Sequence, residues 1–346
     1  MTGTSSGNDP GGSAPAAAPH TSAVIEAEQP VKRKPRGKRK GLLSGLGVLM
    51  LVGAAAAAGF LIVNNLVSRV PRINIGQLPP SGVSQTILIT GAGFGATGGS
   101  SPASSRAQFS GLIMLLHIDV RQKAAAVVSI PPRVMVQVPG KGTIELQSAL
   151  ADGGPALLVR TVGKLAHVQI NHYARVDFTH VAKVINALGG VDVIVLKPSV
   201  GPGYRFHAGV NHLNGVTALR YARDTSTTDG DRILRQQNIL RAIMSKLGHR
   251  RLLTTPLTMV HVLDALTGMM TVDSNFTNSE LMALAKDLAA LGGRTATFVT
   301  APSHVAGKKL VLDTPMSSQL WRAITHDSVA AFARKDPSTV TPPVLP

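Results

Sequence analysis

The chain has 346 residues, 44% of them hydrophobic, enough to bury a full domain core. It has no cysteine, which excludes a disulfide framework, a zinc thiolate site and a thiol nucleophile. The formal charge of +17 is not confined to a tail: nine Lys/Arg stand against three acids up to Arg72, and 26 against 15 beyond it, so anionic partners are favoured throughout.

Met1–Gln29 is rich in Gly, Ser, Ala and Pro without apolar periodicity, and reads as a disordered tail. Seven Lys/Arg follow between Lys32 and Lys40, suited to anionic lipid heads. Gly41–Ser68 then carries no charge, and Gly41–Val63 is apolar apart from Ser44. Those 23 residues, at about 1.5 Å each, span roughly 34 Å, enough for a bilayer core of about 30 Å. The basic run before this segment places the N-terminus in the cytoplasm and everything after Ser68 outside. A cleaved signal peptide is the rival reading, but Asn64–Ser68 offers no small-x-small site.

Val70–Val83, with three prolines and two glycines, reads as a linker. A strand is predicted at Thr86–Thr90, then a Gly/Ser/Ala loop over Gly91–Ser105. Leu112–Ile118 and Ala125–Ile130 are apolar runs of strand length, the second ending before Pro131-Pro132. Pro155–Leu165 is a predicted helix, Val168–Phe178 contains a strand, and His180–Leu188 is a helix ended by Gly189-Gly190. Val191–Leu196 is a buried strand, Asn214–Tyr221 and Arg232–Leu247 are helices, and Glu280–Leu291 precedes a last strand at Thr295–Thr300. Alternating strands and helices indicate an α/β sheet domain. The predicted organisation is therefore a basic tail (1–40), a transmembrane helix (41–68), a linker (69–84), one extracytoplasmic domain (85–328) and a flexible Pro-rich tail (329–346).

The stretch DGDRILRQQNIL, from Asp229 to Leu240, is the most informative. Asp229 or Asp231 suits a helix N-cap. Arg232 and Arg235 then occupy the first two turns, where the helix dipole disfavours cations. Two arginines there make sense if an anion sits between them, met by backbone N–H groups and guanidinium forks together. Gln236 turns toward the apolar arc of Ile233, Leu240, Ile243 and Leu247, as at the lip of a pocket. The competing reading is a surface arginine helix held by Asp229 and Asp231.

With what precedes it, this stretch resembles the LytR-CpsA-Psr family of extracytoplasmic phosphotransferases. The segments QTILITG (from Gln85), IMLLHID (Ile113), SIPP (Ser129), Gly153-Gly154, NHYARVDF (Asn171), ALGGVDV (Ala187) and HLNGVTALRYAR (His212) match in the family's order. The resemblance implies an α/β fold with a central mixed sheet flanked by helices. It implies a long apolar pocket for a polyprenyl chain, and transfer of a glycopolymer from its polyprenyl (pyro)phosphate carrier onto a cell-wall polymer acceptor. It also implies arginines around the phosphates and carboxylates holding Mg²⁺. Arg223 matches one family arginine; Arg232, Arg235 and Gln236, with Gln237 beside them, match the RxxRQQ element; Asp229 matches the acid before it. Arg223, Arg232 and Arg235 are thereby the candidate catalytic groups, Gln236, Gln237 and Arg133 candidate phosphate or lipid contacts, and Asp229 the candidate metal ligand.

Several positions depart from the family. Thr225 replaces a second arginine, Gly93 stands in GAGFG where an aspartate is expected, and Phe109-Ser110-Gly111-Leu112 replaces RSDT. After SIP the family has Arg-Asp, whereas this chain has Pro132-Arg133. Mg²⁺ wants oxygen ligands, commonly one or two carboxylates with phosphate and water; glycine supplies none. Asp119, His117 and His172 read as structural groups, and Asp177 as a brace for the helix after it. The glycines from Gly91 to Gly99 lack the helix start and ribose-binding acid of a dinucleotide loop.

Two functions compete: a membrane-anchored glycopolymer phosphotransferase, and a catalytically degenerate polyprenyl-phosphate-binding or scaffold protein. Mg²⁺-dependent transfer separates them. Nucleic acid is disfavoured as a partner by 3% aromatic content, the absence of zinc-finger spacing and the exterior location.

Overall fold

The computed structural model describes residues 59–92, 109–195, 198–201, 204–223, 229–247, 256–291, 296–342 and 344–345. All belong to one unit, Ala55–Pro346. Its strands are β1 (Arg72–Ile73), β2 (Ser84–Ala92), β3 (Phe109–Asp119), β4 (Ala124–Ser129), β5 (Met135–Val138), β6 (Gly142–Glu145), β7 (His172–Asp177), β8 (Val191–Val195), β9 (Ser199–Gly201), β10 (Tyr204–Phe206), β11 (Gly209–Leu213), β12 (Met270–Asp273), β13 (Ala296–Thr300), β14 (Ser303–Ala306), β15 (Lys309–Leu312) and β16 (Val344–Leu345). The helices are α1 (Leu146–Ala166), α2 (Phe178–Ala187), α3 (Gly215–Arg223), α4 (Asp229–Leu247), α5 (Pro256–Met269), α6 (Asn278–Leu291), α7 (Thr314–Thr325) and α8 (Val329–Lys335).

The near-continuous apolar run of β3 has a direct cause: both faces of this strand are buried. Leu112, Met114, Leu116 and Ile118 face one core, shared with residues of α2 to α6. Ile113 and Leu115 face a second core, with α1, α7 and α8. The seven-stranded sheet between these layers runs β1-β12-β7-β2-β3-β4-β13. It is mixed: β2 is parallel to β7 and antiparallel to β3, while β4 is antiparallel to β3 and parallel to β13. The expected central mixed sheet flanked by helices is thus found.

Local chemistry ends the elements where the sequence predicts. Gly189 (φ +73°) and Gly190 (φ +91°) adopt the left-handed conformation, and Gly190 N donates to Ile185 O at 2.8 Å, closing α2. Within α1, Gly154 leaves helical geometry (φ 65°, ψ −168°), so the helix predicted from Pro155 is the second of two segments.

Two expectations need correction. The linker 69–84 is not merely a connection, because Arg72–Ile73 pairs with Val272–Asp273 as the sheet's outer strand. Nor are residues 329–342 a loose tail: after α8, Val340 bridges Val299, and Thr341 N donates to Phe298 O at 2.9 Å. The prolines misled because α4 supplies the anchors. Arg241 donates to Asn238 Oδ1 (2.7 Å), Pro342 O (2.9 Å) and Thr341 O (2.6 Å), and lies 4.5 Å from the Phe298 ring centre.

The predicted transmembrane segment lies mostly outside the described residues. Residues 59–68 are helical, with Leu66 and Val67 buried. No helix of the described residues is long and apolar enough to cross a membrane.

Candidate functional site

Four strand ends meet at one edge of the sheet: the carboxyl ends of β2, β4 and β13 and the start of the antiparallel β3. Crevices of this kind, beyond strand carboxyl ends, are where open α/β sheets bind ligands. The first turns of α4 reach this edge. A β-carbon built on Gly111 would stand 3.4 Å from Arg232 Nη2 and 3.9 Å from Pro132 Cγ, so Arg232 lies across the start of β3. Gly111 itself has φ +74°, a conformation that L side chains rarely adopt.

Arg235 turns to α3. It is 8% exposed, with its guanidinium carbon 5.3 Å from the centre of the Tyr221 ring. Such a contact offsets part of the cost of burying a cation. Phe206 meets Tyr221 edge-on at 5.3 Å and fixes the ring. Burial pushes the Tyr221 phenol pKa up, and Asn238 and the charge of Arg235 offset part of that rise. The hydroxyl makes no well-aligned hydrogen bond, so its contact with Asn238 is loose.

The two neighbouring glutamines differ. Gln236 is 4% exposed, and among the described residues its buried amide nitrogen and oxygen meet no hydrogen-bond partner. An unsatisfied buried polar group costs about 1–3 kcal/mol. Gln236 lies one turn beyond Arg232 on the same face of α4. Gln237, fully buried, is occupied by the protein. Its Nε2 donates to Ser129 Oγ (2.5 Å) and Val299 O (3.2 Å), and its Oε1 accepts from Thr341 Oγ1. Gln237 therefore ties α4 to the ends of β4 and β13.

Arg133 is exposed and lies 3.7 Å from Glu145. Arg223 closes α3 and Asp229 opens α4; their side chains, like Gly93, are outside the described residues. Among the described residues no three of His, Asp and Glu gather to hold a metal, and Gly111 has no donor to offer. Gly111 brings no carboxylate to that side, and the side chain of the candidate ligand Asp229 lies outside the described residues.

His117 and His172 each join distant segments of the fold. His117 bridges Thr86 Oγ1 (2.9 Å) and Asp327 Oδ1 (2.7 Å), holding the turn between α7 and α8 against the sheet. His172 bridges Ser81 Oγ (2.9 Å) and Asp273 Oδ2 (3.2 Å) and stacks on Phe276. Asp119 Oδ1 accepts from Arg121 N and Gln122 N, and Asp177 lies 3.3 Å from His180. Sequence reasoning missed Tyr221. Its one signal was an aromatic in LRYAR, two residues before Arg223, in a chain with three tyrosines.

Comparison with known proteins gives a consistent result. The LytR_cpsA_psr family profile matches residues 72–318. The probable cell wall biosynthesis protein LcpB of Corynebacterium glutamicum is 34% identical over 137 residues, 38% of this chain and 33% of that protein. The matches span between 31% and 49% of the lengths of such relatives. Among solved structures, Bacillus subtilis TagV superimposes with a TM-score of 0.58 at 23% identity, covering 71% of this chain and 97% of TagV. TagT bound to LI-WTA gives 0.57 at 19% identity, covering 74% and 98%. At these identities the structures establish a shared fold.

Proposed function

The chain belongs to the LytR_cpsA_psr family, and on that premise we propose that it is a membrane-anchored, extracytoplasmic protein that handles polyprenyl-(pyro)phosphate-linked glycopolymer for attachment to the cell wall. The observation that carries this reading is the buried, unpartnered amide of Gln236 one turn from Arg232 and beside Arg235. A bound phosphate oxygen accepts from the amide nitrogen and is neutralised by the guanidinium groups. The prenyl chain occupies an apolar tunnel whose mouth carries Arg223, Arg232, Arg235 and Gln236. TagT, which shares the fold, has been solved with LI-WTA bound.

In the transfer, an acceptor hydroxyl oxygen of the wall bonds to the phosphorus bearing the glycopolymer. The bond from that phosphorus to the prenyl phosphate oxygen breaks, prenyl phosphate leaves, and the hydroxyl proton passes to water. Arg232 and Arg235 stabilise the charge spread over the phosphoryl oxygens.

A second reading has its own support. Gly111, with Arg232 beside it, stands where the family resemblance expects an acid at the start of β3, favouring prenyl-phosphate binding with little turnover.

Calorimetry with a prenyl phosphate and a transfer assay with and without Mg²⁺ test both readings. Arg232→Ala and Arg235→Ala are each expected to weaken binding by about 1.5–3 kcal/mol. Unchanged affinity in both variants would refute the site. Robust Mg²⁺-dependent transfer would refute the degenerate reading and point to Asp229 or Asp231 as the metal's carboxylate.

A further inference from the structure

A groove of about 630 Å³ opens beside the candidate phosphate site. Pro131, Pro132, Met135 and Ile233 of α4 are among its apolar lining. Pro132 lines the groove, and both Pro132 Cγ (3.9 Å) and Arg232 Nη2 (3.4 Å) lie within 4 Å of a β-carbon built on Gly111, so the groove neighbours the guanidinium of Arg232. The opposite wall is the β14–β15 hairpin, which presents Val305 (71% exposed) and, at its turn, Lys308 and Lys309.

These walls are built independently of any ligand. Val134 bridges Leu310 of the hairpin, Val134 N donates to Pro131 O (3.2 Å), and Gln147 N donates to Pro132 O (2.8 Å). The rim is basic: Arg133, Lys308 and Lys309 stand against the single acid Glu145, which lies 3.7 Å from Arg133. Neither lysine has an ion-pair partner among the described residues. Among the described residues no aromatic ring lines the groove, so its distinguishing feature for a ligand is charge. The volume lies in the range of ligand-binding clefts, about 300–1,000 Å³.

We propose that this groove seats the acceptor: a carboxylate-bearing glycan strand, held by Lys308, Lys309 and Arg133 so that one of its hydroxyls arrives beside Arg232. The proposal rests on the glycopolymer-attachment reading above. Its strand-binding part stands separately, because the lysines belong to the hairpin and the proposed prenyl-phosphate contacts belong to α3 and α4.

The test uses the full-length protein in detergent. The probes are solubilised peptidoglycan strands, which carry stem-peptide carboxylates; neutral chitin oligosaccharides; and a prenyl phosphate. Wild type should bind the acidic strands in a salt-sensitive manner and the neutral oligosaccharides weakly. Lys308→Glu with Lys309→Glu should weaken strand binding by about tenfold or more while leaving prenyl-phosphate affinity unchanged. Val305→Asp, which places a negative charge on the same wall, is a second variant expected to act in the same direction. Equal binding of neutral and acidic glycans, or strand binding indifferent to both variants, would overturn the proposal. Loss of prenyl-phosphate binding alone in Arg232→Ala supports two separate subsites; parallel loss of strand binding in that variant counts against the groove. If wild type binds no prenyl phosphate yet strand binding still depends on the lysines, the carrier reading fails and the groove stands.

Discussion

A side chain at Gly111 meets one obstacle, a backbone φ of +74°; Arg232 Nη2, 3.4 Å from where its β-carbon would stand, is in ordinary contact range. Gly111→Asp is therefore expected to lower the unfolding midpoint, with a backbone cost of about 1–2 kcal/mol. The new carboxylate would bond to Arg232 and bring no gain in Mg²⁺ affinity. A variant that unfolds like wild type and binds Mg²⁺ measurably tighter by calorimetry would disprove this. Gln237 separates structure from binding in the other direction. Gln237→Ala removes the partner of Ser129, Val299 and Thr341, for an expected stability loss of about 1–3 kcal/mol. Prenyl-phosphate affinity should stay within about twofold, because the side chain is aimed at the protein rather than at the Arg232 cluster. A variant with full stability and lost binding would instead make Gln237 a ligand contact. That the two glutamines of one QQ pair divide in this way was not legible from the sequence. Adjacent helical residues point about 100° apart, and only the packing of α4 says which one meets the sheet.

At the scale of elements, α4 is joined to the sheet region at both ends. Near its carboxyl end Lys246 lies 3.7 Å from Asp192 of β8, and His212 of β11 bonds the same carboxylate at 2.6 Å. The His212 hydrogen bond, aided by Lys246, holds the Asp192 pKa below the usual carboxylate value against a smaller opposing effect of burial. A depressed folded pKa contributes stability that is full above the unfolded carboxylate pKa and is lost as pH falls through the folded one. Because the pair is about half exposed, solvent screening keeps the contribution small. Asp192→Asn should therefore melt slightly below wild type at neutral pH, and the two melting curves should converge in acid. A gap that widens toward low pH would contradict the assignment. The predicted strands and helices that recur here are those with unbroken apolar runs or clear stops, such as Leu112–Ile118 and the helix ended by Gly189-Gly190. The short hairpins β5–β6 and β14–β15 escaped sequence reading because four-residue strands with exposed faces leave little periodicity to detect.

For the whole molecule, the proposed topology places one span at Gly41–Val63 with the N-terminus inside. Phe60, Leu61 and Ile62 are exposed on the described helical residues, as apolar side chains meeting lipid would be. Protease added to intact cells is expected to remove the folded domain after Ser68; cleavage confined to Met1–Lys40 would reverse the orientation. The order of elements, the family, the charge and the arginine pair are all determined by the sequence itself. They depend on residue type, spacing and short-range periodicity, which the chain carries locally. What only the tertiary structure decided is which of these groups share a space. It joined Arg232 to Gly111 and Pro132, set Arg235 on Tyr221, buried Gln236 without a partner while occupying Gln237, and turned an apparent tail into a strap across α4. Residues more than a hundred positions apart meet there through sheet pairing and core packing. No local pattern encodes a distance between two such segments, because the register of one against the other is set by all the apolar surface they bury together.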